Sequence, residues 1–539
     1  MARKTGVTGA DFIIAPYSKK YLYGKFENGV QIETRMRYVK LFALLALVIV
    51  CIACVNFMNL TTAQASRRMK EIGIKKIAGA SRKTLIFHYM SESVLMSIIA
   101  LIAAVLMVNL LLPQFNQITG KLLVFGFTTS NLAVYVAIAI LTGIIAGSYP
   151  ALYLSSFKPV LVLKRSLSSS FAELIARSGL VVFQFGISII GIVGVLVIYQ
   201  QLVYVQTTNL GYDKENLIYF ELEGRIAEDH EAFLSEVQQM PGVINASAMV
   251  GNIVGTIGHE MQININNKAI QFHWLGVDYE MIETLGIPMR SGRTFSREFN
   301  DSARVIVNQA AIDAMAITDP IGKLIPFGNG QVEIIGVTKN FHLRSLHEAI
   351  SPLAFRLEPD VFWNIFVRLE EGKQHKTLRD LEAVYKKSNP GFALDYRFVD
   401  QTYQSQYASE SRVASLSVWF AGLAIVVSCL GLFGLASYSA ERRIKEIGIR
   451  KVLGSTALGI VLLLCKDFMR LVLVAVIISI PISYYLLNEW LNSFAYAIDL
   501  QWWVFIMAGM ISVVIALVTT GSQAVKASLI NPSKCLRNE

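Results

Sequence analysis

The chain has 539 residues, of which 54% are hydrophobic and only 16% charged; its mean hydropathy is +0.49. A soluble domain carries roughly 25% charged residues, so this composition excludes a soluble enzyme, a disordered chain and a coiled coil. It points to several membrane spans plus polar domains, and the formal net charge of +10 reads as a topology signal rather than a nucleic-acid one.

Residues 1–40 hold eight basic residues (Arg3, Lys4, Lys19, Lys20, Lys25, Arg35, Arg37, Lys40) against Asp11, Glu27 and Glu33. Seven apolar stretches follow that are long enough to cross a bilayer, which takes about 20 helical residues. They are Leu41–Gln64, Phe87–Leu112, Leu132–Leu154, Leu180–Leu202, Leu416–Tyr438, Ile460–Leu487 and Trp502–Ala524. Short-loop Lys and Arg mark the cytoplasmic side. They cluster after the first span (Arg67 to Lys83), between the third and fourth (Lys158, Lys164, Arg165, Arg177), after the fifth (Arg442 to Lys451) and in the tail. The loop between the second and third spans has only Lys121. The stretch from about Val203 to Ser415 is therefore expected outside and the tail inside. That arrangement leaves a basic N-terminus outside with no signal peptide before it. The expectation is an N-terminally shortened version of an eight-span protein. Cys51 and Cys54 have redox-motif spacing but lie in an apolar run, where cysteine packs as a small hydrophobe. Pro150 and Pro481 are expected to kink or end their helices.

The outside region alternates strand and helix patterns. Strands are expected at Leu217–Leu222, Val243–Val250, Gln262–Val277, Arg304–Asn308, Val332–Val337, Phe362–Leu369 and Ala393–Val399. Helices are expected at Glu231–Met240, Tyr279–Leu285, Ala310–Ala316 and Lys373–Lys387. The result is an α+β sandwich. His342, His347 and Glu348 are too sparse for a metal site, and no catalytic triad can be assembled.

An internal repeat is the strongest signal. The segment from Arg67 to Ser81 recurs from Arg442 to Thr456, with nine of fifteen positions identical at an offset of 375. Glu92 and Asp467 correspond at the same offset. After the last span of each half, Ser155 and Pro159 match Ser528 and Pro532, and Leu163-Lys164 matches Leu536-Arg537. The fold class is thus a multi-span α-helical membrane protein, about seven spans in two parallel three-helix repeats, with an extracytoplasmic α+β domain. Glu71 precedes Lys75 by four and Glu446 precedes Arg450 by four, a favourable helix-face order. Ile72, Ile77 and their repeats suggest an apolar stripe. Gly79 and Gly454 sit where a helix would end, whereas Gly73 and Gly448 fall inside one, which suggests close approach to another backbone. A positive-inside anchor needs only charge; the repeated acid and glycines point to docking.

These segments resemble those of the FtsX-like (MacB-type) ABC transporter permeases, in the double-domain bacterial version, and the resemblance covers essentially the whole chain. Further matching stretches are Gly292-Arg293-Thr294-Phe295, Val305–Asn308, Pro320-Ile321-Gly322-Lys323 and Glu333–Val337, then Phe341-His342 and Ser345-Leu346. The resemblance implies coupling helices that touch an ATPase. The coupling residues are then Arg67, Arg68, Lys70, Glu71, Gly73, Lys75, Lys76 and Gly79, with Arg442, Arg443, Lys445, Glu446, Gly448, Arg450, Lys451 and Gly454. Glu92 and Asp467 are read as intramembrane support. The domains follow as 1–40, the remnant of a first periplasmic domain; 41–165, a three-helix permease unit; 166–204, the fourth span; 205–411, a MacB-like periplasmic core domain; and 412–539, the second permease unit.

No Gly-x-x-x-x-Gly-Lys-Ser/Thr loop occurs, so ATP chemistry belongs to a partner. The implied partners are a dimeric cytoplasmic ABC ATPase, a second permease copy, membrane lipid and a periplasmic or outer-membrane component, with no cofactor, metal or nucleic acid. The function is to transmit ATP-driven motion to the periplasmic domain for extrusion of an envelope substrate from the bacterial inner membrane. The alternative is a non-transporting sensor or scaffold acting on an envelope partner.

Overall fold

The computed structural model describes residues 16–17, 22–23, 25–27, 30–32, 35–63, 65–156, 171–254, 259–265, 268–328, 330–343, 345–358 and 362–529. Much of segment 1–40, together with Pro159, Leu163-Lys164, Pro532 and Leu536-Arg537, lies outside them. Two compact units emerge. One comprises residues 1–199, 412–487 and 500–539; the other comprises 200–411 with 488–499.

In the first unit the described part of the N-terminal segment forms a short antiparallel pair, β1 (Lys25–Glu27) and β2 (Val30–Ile32). The helices are α1 (Arg35–Ala63), α2 (Ala65–Ile77), α3 (Arg82–Thr119), α4 (Thr129–Ser156) and α5 (Phe171–Thr207). Six helices are long and apolar enough to span a membrane among the described residues: Val39–Thr62, Arg82–Thr119, Thr129–Ser156, Ser178–Thr207, Ala408–Arg442 and Trp502–Ser528. The further expected span, Ile460–Leu487, is a continuous helix within Ala457–Leu491 that is not among those six. It carries Lys466, Asp467 and Arg470 near its start. Pro113, Pro150 and Pro481 all lie inside continuous helices, so neither Pro150 nor Pro481 ends one. Neighbouring helices in a membrane protein can re-satisfy a freed carbonyl, which makes interior proline tolerable.

Small and polar residues set the helix spacing. A Cβ added at Gly143 would lie 2.7 Å from Val94 Cα, and one at Gly147 would lie 2.6 Å from Ser93. The Ser97 hydroxyl donates to the Ala139 carbonyl at 2.7 Å across the same seam. This is the small-xxx-small contact that lets membrane helices approach closely. A second seam joins α1, α5 and the helix Ala408–Arg442. Asn56 donates to the Val427 carbonyl, Gln184 donates to the same oxygen at 3.3 Å, and Ser188 meets Ser428 at 2.9 Å. A side chain at Gly431 would collide with Asn56, and one at Gly434 with Leu60. Asn56 and Gly431 correspond at the repeat offset of 375. The two related helices thus meet at equivalent positions, one supplying the amide and the other the space for it.

The second unit contains β3 (Leu217–Glu221), α6 (His230–Gln238), β4 (Val243–Met249), β5 (His259–Ile265), β6 (Lys268–Val277), α7 (Met281–Leu285), β7 (Met289–Gly292), β8 (Arg304–Asn308) and α8 (Gln309–Met315). After these come β9 (Leu324–Phe327), β10 (Gly330–Thr338), β11 (Leu353–Leu357), β12 (Asn364–Leu369), α9 (Gln374–Ser388), β13 (Tyr396–Phe398) and α10 (Val399–Gln406). The strands form one mixed sheet of eleven, in the order β13-β3-β12-β4-β6-β11-β8-β10-β7, with β5 on β6 and β9 on β10. Its two lobes join where β4 meets β6, through the single pair Met249 and Val277. The expected single strand Gln262–Val277 is a hairpin, β5 and β6; the turn-forming pair Asn266-Asn267 between the two strands was the sequence signal. Strands β7, β9 and β11 were not expected from the sequence; they are short, and each contains or directly follows a proline.

Two arginine–carboxylate clusters brace this unit. Arg368, on β12, donates to the Thr284, Asp213 and Glu215 carbonyls and pairs with the Asp213 carboxylate at 2.9 Å. It pins the domain's entry segment to the central sheet. Asp301 has a fully buried side chain held by Arg293 at 2.7 Å and Arg304 at 2.9 Å. Burial alone would raise its pKa, but these hydrogen bonds, with one from the Ser296 amide, bring it down to about 2.

A depressed carboxyl stabilises the fold above its unfolded value and loses that contribution as pH falls toward the folded one. Stability of the purified chain is therefore expected to drop as pH falls from about 4 to about 2. Asp301→Asn should remove about 2 kcal/mol at neutral pH and flatten that acid limb in unfolding curves followed across pH. Gly147→Leu should cost about 1–3 kcal/mol through overpacking, read as a lowered melting temperature in detergent.

Candidate functional site

The repeated segments fold alike. α2 follows α1 across one residue, and α12 (Ile444–Val452) follows α11 (Ala408–Arg442) in the same way. Their last helical residues, Ile77 and Val452, are repeat equivalents. Both helices end on a glycine with positive φ, +96° at Gly79 and +92° at Gly454. The Gly79 amide donates to the Lys76 carbonyl at 3.1 Å, and the Gly454 amide to the Lys451 carbonyl at 3.1 Å. One residue on, Ala80 donates to the Lys75 carbonyl and Ser455 to the Arg450 carbonyl, both at 2.9 Å. Open space surrounds the missing Cβ at both glycines, so the left-handed backbone rather than crowding demands glycine. Ser81 then accepts from the Thr84 amide and Thr456 from the Gly459 amide, each at 3.2 Å. These bonds start α3 and α13 (Ala457–Leu491), so each segment is a helix–elbow–helix.

The ion pairs also repeat. Glu71 meets Lys75 at 2.7 Å and Glu446 meets Arg450 at 2.7 Å. The Glu71 hydrogen bond raises the Lys75 pKa, keeping the ammonium charged. Arg443 pairs with Asp467 at 3.0 Å, tying the start of α12 to α13. Glu92 occupies the corresponding place in α3. The side chains of Arg67, Arg68, Lys70 and Lys445 lie outside the described residues.

Each short helix has an inner and an outer face. Ile72 is buried with Leu85, Tyr89, Ala151 and Leu154; Ile447 is buried with Ala440, Ile460, Leu464 and Ala524. Gly73 and Gly448, next to them, are buried too. Lys76 turns inward and donates to the Ser155 carbonyl at 2.7 Å, where a cation suits the C-terminal end of α4. Ile74 and Ile77 are 68% and 67% exposed, as are Ile449, Val452 and Leu453 in the second copy, at 51%, 67% and 79%. The expected single stripe of Ile72 and Ile77 is therefore split. Five residues at 100° each put them on different faces, one serving the bundle and the other solvent. The sequence reading named Ile77 and Val452 but passed over Ile74, Ile449 and Leu453, which stand three residues before Ile77, three before Val452 and one after it, on the same outward face.

In the second unit His342 and His347 both face the segment 488–499. His347 Nδ1 lies 3.1 Å from the Ser493 carbonyl, its ring stacks on Phe494 at 3.8 Å, and Nε2 lies 3.6 Å from Glu410. His342 packs edge-on against Tyr496, and burial lowers its pKa, favouring the neutral ring. The Tyr496 amide donates to the Leu346 carbonyl at 3.1 Å, and Gln201 both donates to the Tyr496 carbonyl and accepts from the Ile498 amide. Tyr407 accepts from the Leu346 amide at 2.8 Å, and Tyr403 donates to the Val205 carbonyl at 3.1 Å. The loop from Phe341 to Ser351 is thus held by the end of α5, by α10 and the start of α11, and by residues 488–499.

Long apolar helices in two repeat-related sets, with a large α+β domain inserted between them, define a membrane permease with an extracytoplasmic domain. Residues 43–159 and 418–532 match the model of the FtsX-like permease C-terminal domain, and residues 178–383 match the MacB-like periplasmic core domain. Together these matches take in most of the chain, which belongs to the FtsX-like ABC transporter permeases that carry a MacB-like periplasmic core domain. It is 23% identical over 248 residues to the uncharacterized ABC transporter permease YknZ of Bacillus subtilis (strain 168), covering 44% of this chain and 62% of that one. It is 31% identical over 132 residues to the macrolide export ATP-binding/permease protein MacB of Bradyrhizobium diazoefficiens, covering 23% of this chain and 19% of that one. The chain thus spans less than two thirds of either relative. Among solved structures, the periplasmic region of MacB from Actinobacillus actinomycetemcomitans aligns with 37% of this chain and 97% of its own, at 14% identity and a TM-score of 0.28. The extracellular domain of YknZ aligns with 34% of this chain and 98% of its own, at 16% identity and a TM-score of 0.26.

Gly79→Ala and Gly454→Ala should each destabilise by about 1–2 kcal/mol, the cost of a left-handed non-glycine residue. Differential scanning fluorimetry of the two single variants and the double variant should give nearly additive losses, since the two elbows share no partner among the described residues.

Proposed function

We propose that the chain is the permease subunit of an ABC transporter and transmits motion from a separate cytoplasmic ATPase to its periplasmic core domain, for extrusion of an envelope substrate. The observation that carries this reading is the pair of repeat-equivalent elbows, each with the same ion pair, the same glycine cap and an outward apolar face. A charge-only anchor has no use for exposed isoleucines beside a fixed ion pair, whereas a docking surface does. Two such elbows in one chain suit the two halves of an ATPase dimer.

On this reading residues 41–165 and 412–539 are the two permease units, 166–204 is the helix between them and 205–411 is the periplasmic core domain. The elbows and the C-terminus face the cytoplasm, and the basic residues around both elbows agree with that orientation. Glu71, Lys75, Gly79, Glu446, Arg450 and Gly454 shape the docking surfaces, with the other repeated basic residues around them. Glu92 and Asp467 brace the elbows from the adjoining helices.

The test is co-purification of the cognate ATPase with the full chain. Ile74→Asp combined with Ile449→Asp should weaken association at least tenfold, and Glu71→Lys combined with Glu446→Lys should do the same. Wild-type-like association by both double variants would remove the coupling assignment. Cysteine labelling at exposed Ile77 and Val452 checks the side independently, since labelling from the periplasm would invert the topology.

A further inference from the structure

One face of the outer sheet carries an aromatic and polar cluster that the motion-transmitting reading does not use. His259, Trp274 and Ala354 lie in one row across β5, β6 and β11. His259 stacks on Trp274 with ring centroids 4.5 Å apart. Exposed Trp363, just before β12, meets His259 edge-on at 6.5 Å. Two residues along β11 from Ala354, and so on the same face, Arg356 spreads its guanidinium over Trp274 at 6.0 Å and Phe327 at 5.4 Å.

Arg356 is left incompletely bonded. Its Nε is buried and has no hydrogen-bond partner among the described residues. The nearest acid is Glu358, whose oxygen stands 3.9 Å from Nη1, beyond hydrogen-bond distance. Gly276, opposite Arg356 in the register, leaves room for that carboxylate: a Cβ there would lie 2.9 Å from Glu358 Oε2. The site therefore offers the Nη1 donor of Arg356 and the Glu358 acceptor held slightly apart, with the His259 imidazole and the exposed Trp363 indole connected to them through Trp274.

We propose that this face binds a neutral sugar ring. A hydroxyl is the group that accepts from Arg356 while donating to Glu358, and it bridges a gap that neither side chain closes directly. A carboxylate satisfies the arginine but meets repulsion from Glu358. A purely apolar ligand leaves both polar groups unmatched. The C–H face of a sugar packs on the ring of Trp363 or His259, the role that amphipathic aromatics fill at polar interfaces.

The proposal is tested on the full chain in nanodiscs free of glycoside detergent. Maltotriose and chitotriose serve as the sugar probes and benzoate as the anionic one, and binding is read by saturation transfer to ligand protons. At least one trisaccharide should bind saturably, with affinity falling about tenfold in Trp363→Ala and in Arg356→Gln. Trp363 is exposed, so its variant tests the site even if Arg356→Gln fails to fold. Binding of neither sugar, sugar binding unchanged in Trp363→Ala, or binding of benzoate in place of sugar overturns the assignment. ATPase co-purification does not enter this readout, so the result is independent of the coupling reading.

Discussion

A helix that leaves the bilayer and must re-enter it within a few residues needs an abrupt stop, and the two elbows depend on that stop. Helix C-termini leave carbonyls unpaired, and a side chain on a left-handed residue clashes with its own backbone. Gly79 and Gly454 remove the clash and let the next amides close back on the helix. Once the elbow is made, the rest of the segment is positioned. Ile72 and Ile447 are driven into the bundle, and Ile74 and Ile449 are turned out. The glutamate–cation pair lies along the short helix in each copy.

The two copies reach equivalent geometry by partly different means. The first packs its last two spans on Gly143 and Gly147. In the second, Ala516 is buried and Thr520 donates to Cys465. Lipid supplies no hydrophobic drive for helix association, so close approach and side-chain hydrogen bonds must do it. Several residue combinations satisfy that demand, and the pattern is looser there than at the elbows, where the left-handed backbone favours glycine.

In the outer unit, polar groups are bonded so as to join segments far apart in the chain. Arg368 connects β12 to the entry segment, and Gln201 and Tyr407 join helix ends to Tyr496 and Leu346. Each of these is a buried or half-buried donor or acceptor whose loss leaves a partner unsatisfied, which is why single positions there matter more than area would suggest. Residues 488–499 take part in this network although they lie in sequence between two apolar helices.

Much of this was legible in the sequence, for reasons that are local. Apolar runs of twenty or more residues specify helices in lipid because no other single segment satisfies its own backbone. The offset of 375 exposed the repeat, the glycine positions and the acid–base pairs. Strand Arg304–Asn308 was read to the residue because its β-branched run is bounded by turn chemistry. What tertiary structure alone decided was which face of each short helix is covered, that Lys76 turns back to Ser155, and that Arg356, Trp274 and Phe327 share a surface. Those outcomes depend on residues tens to hundreds of positions apart, and periodicity carries no information about which distant segment will cover a given face.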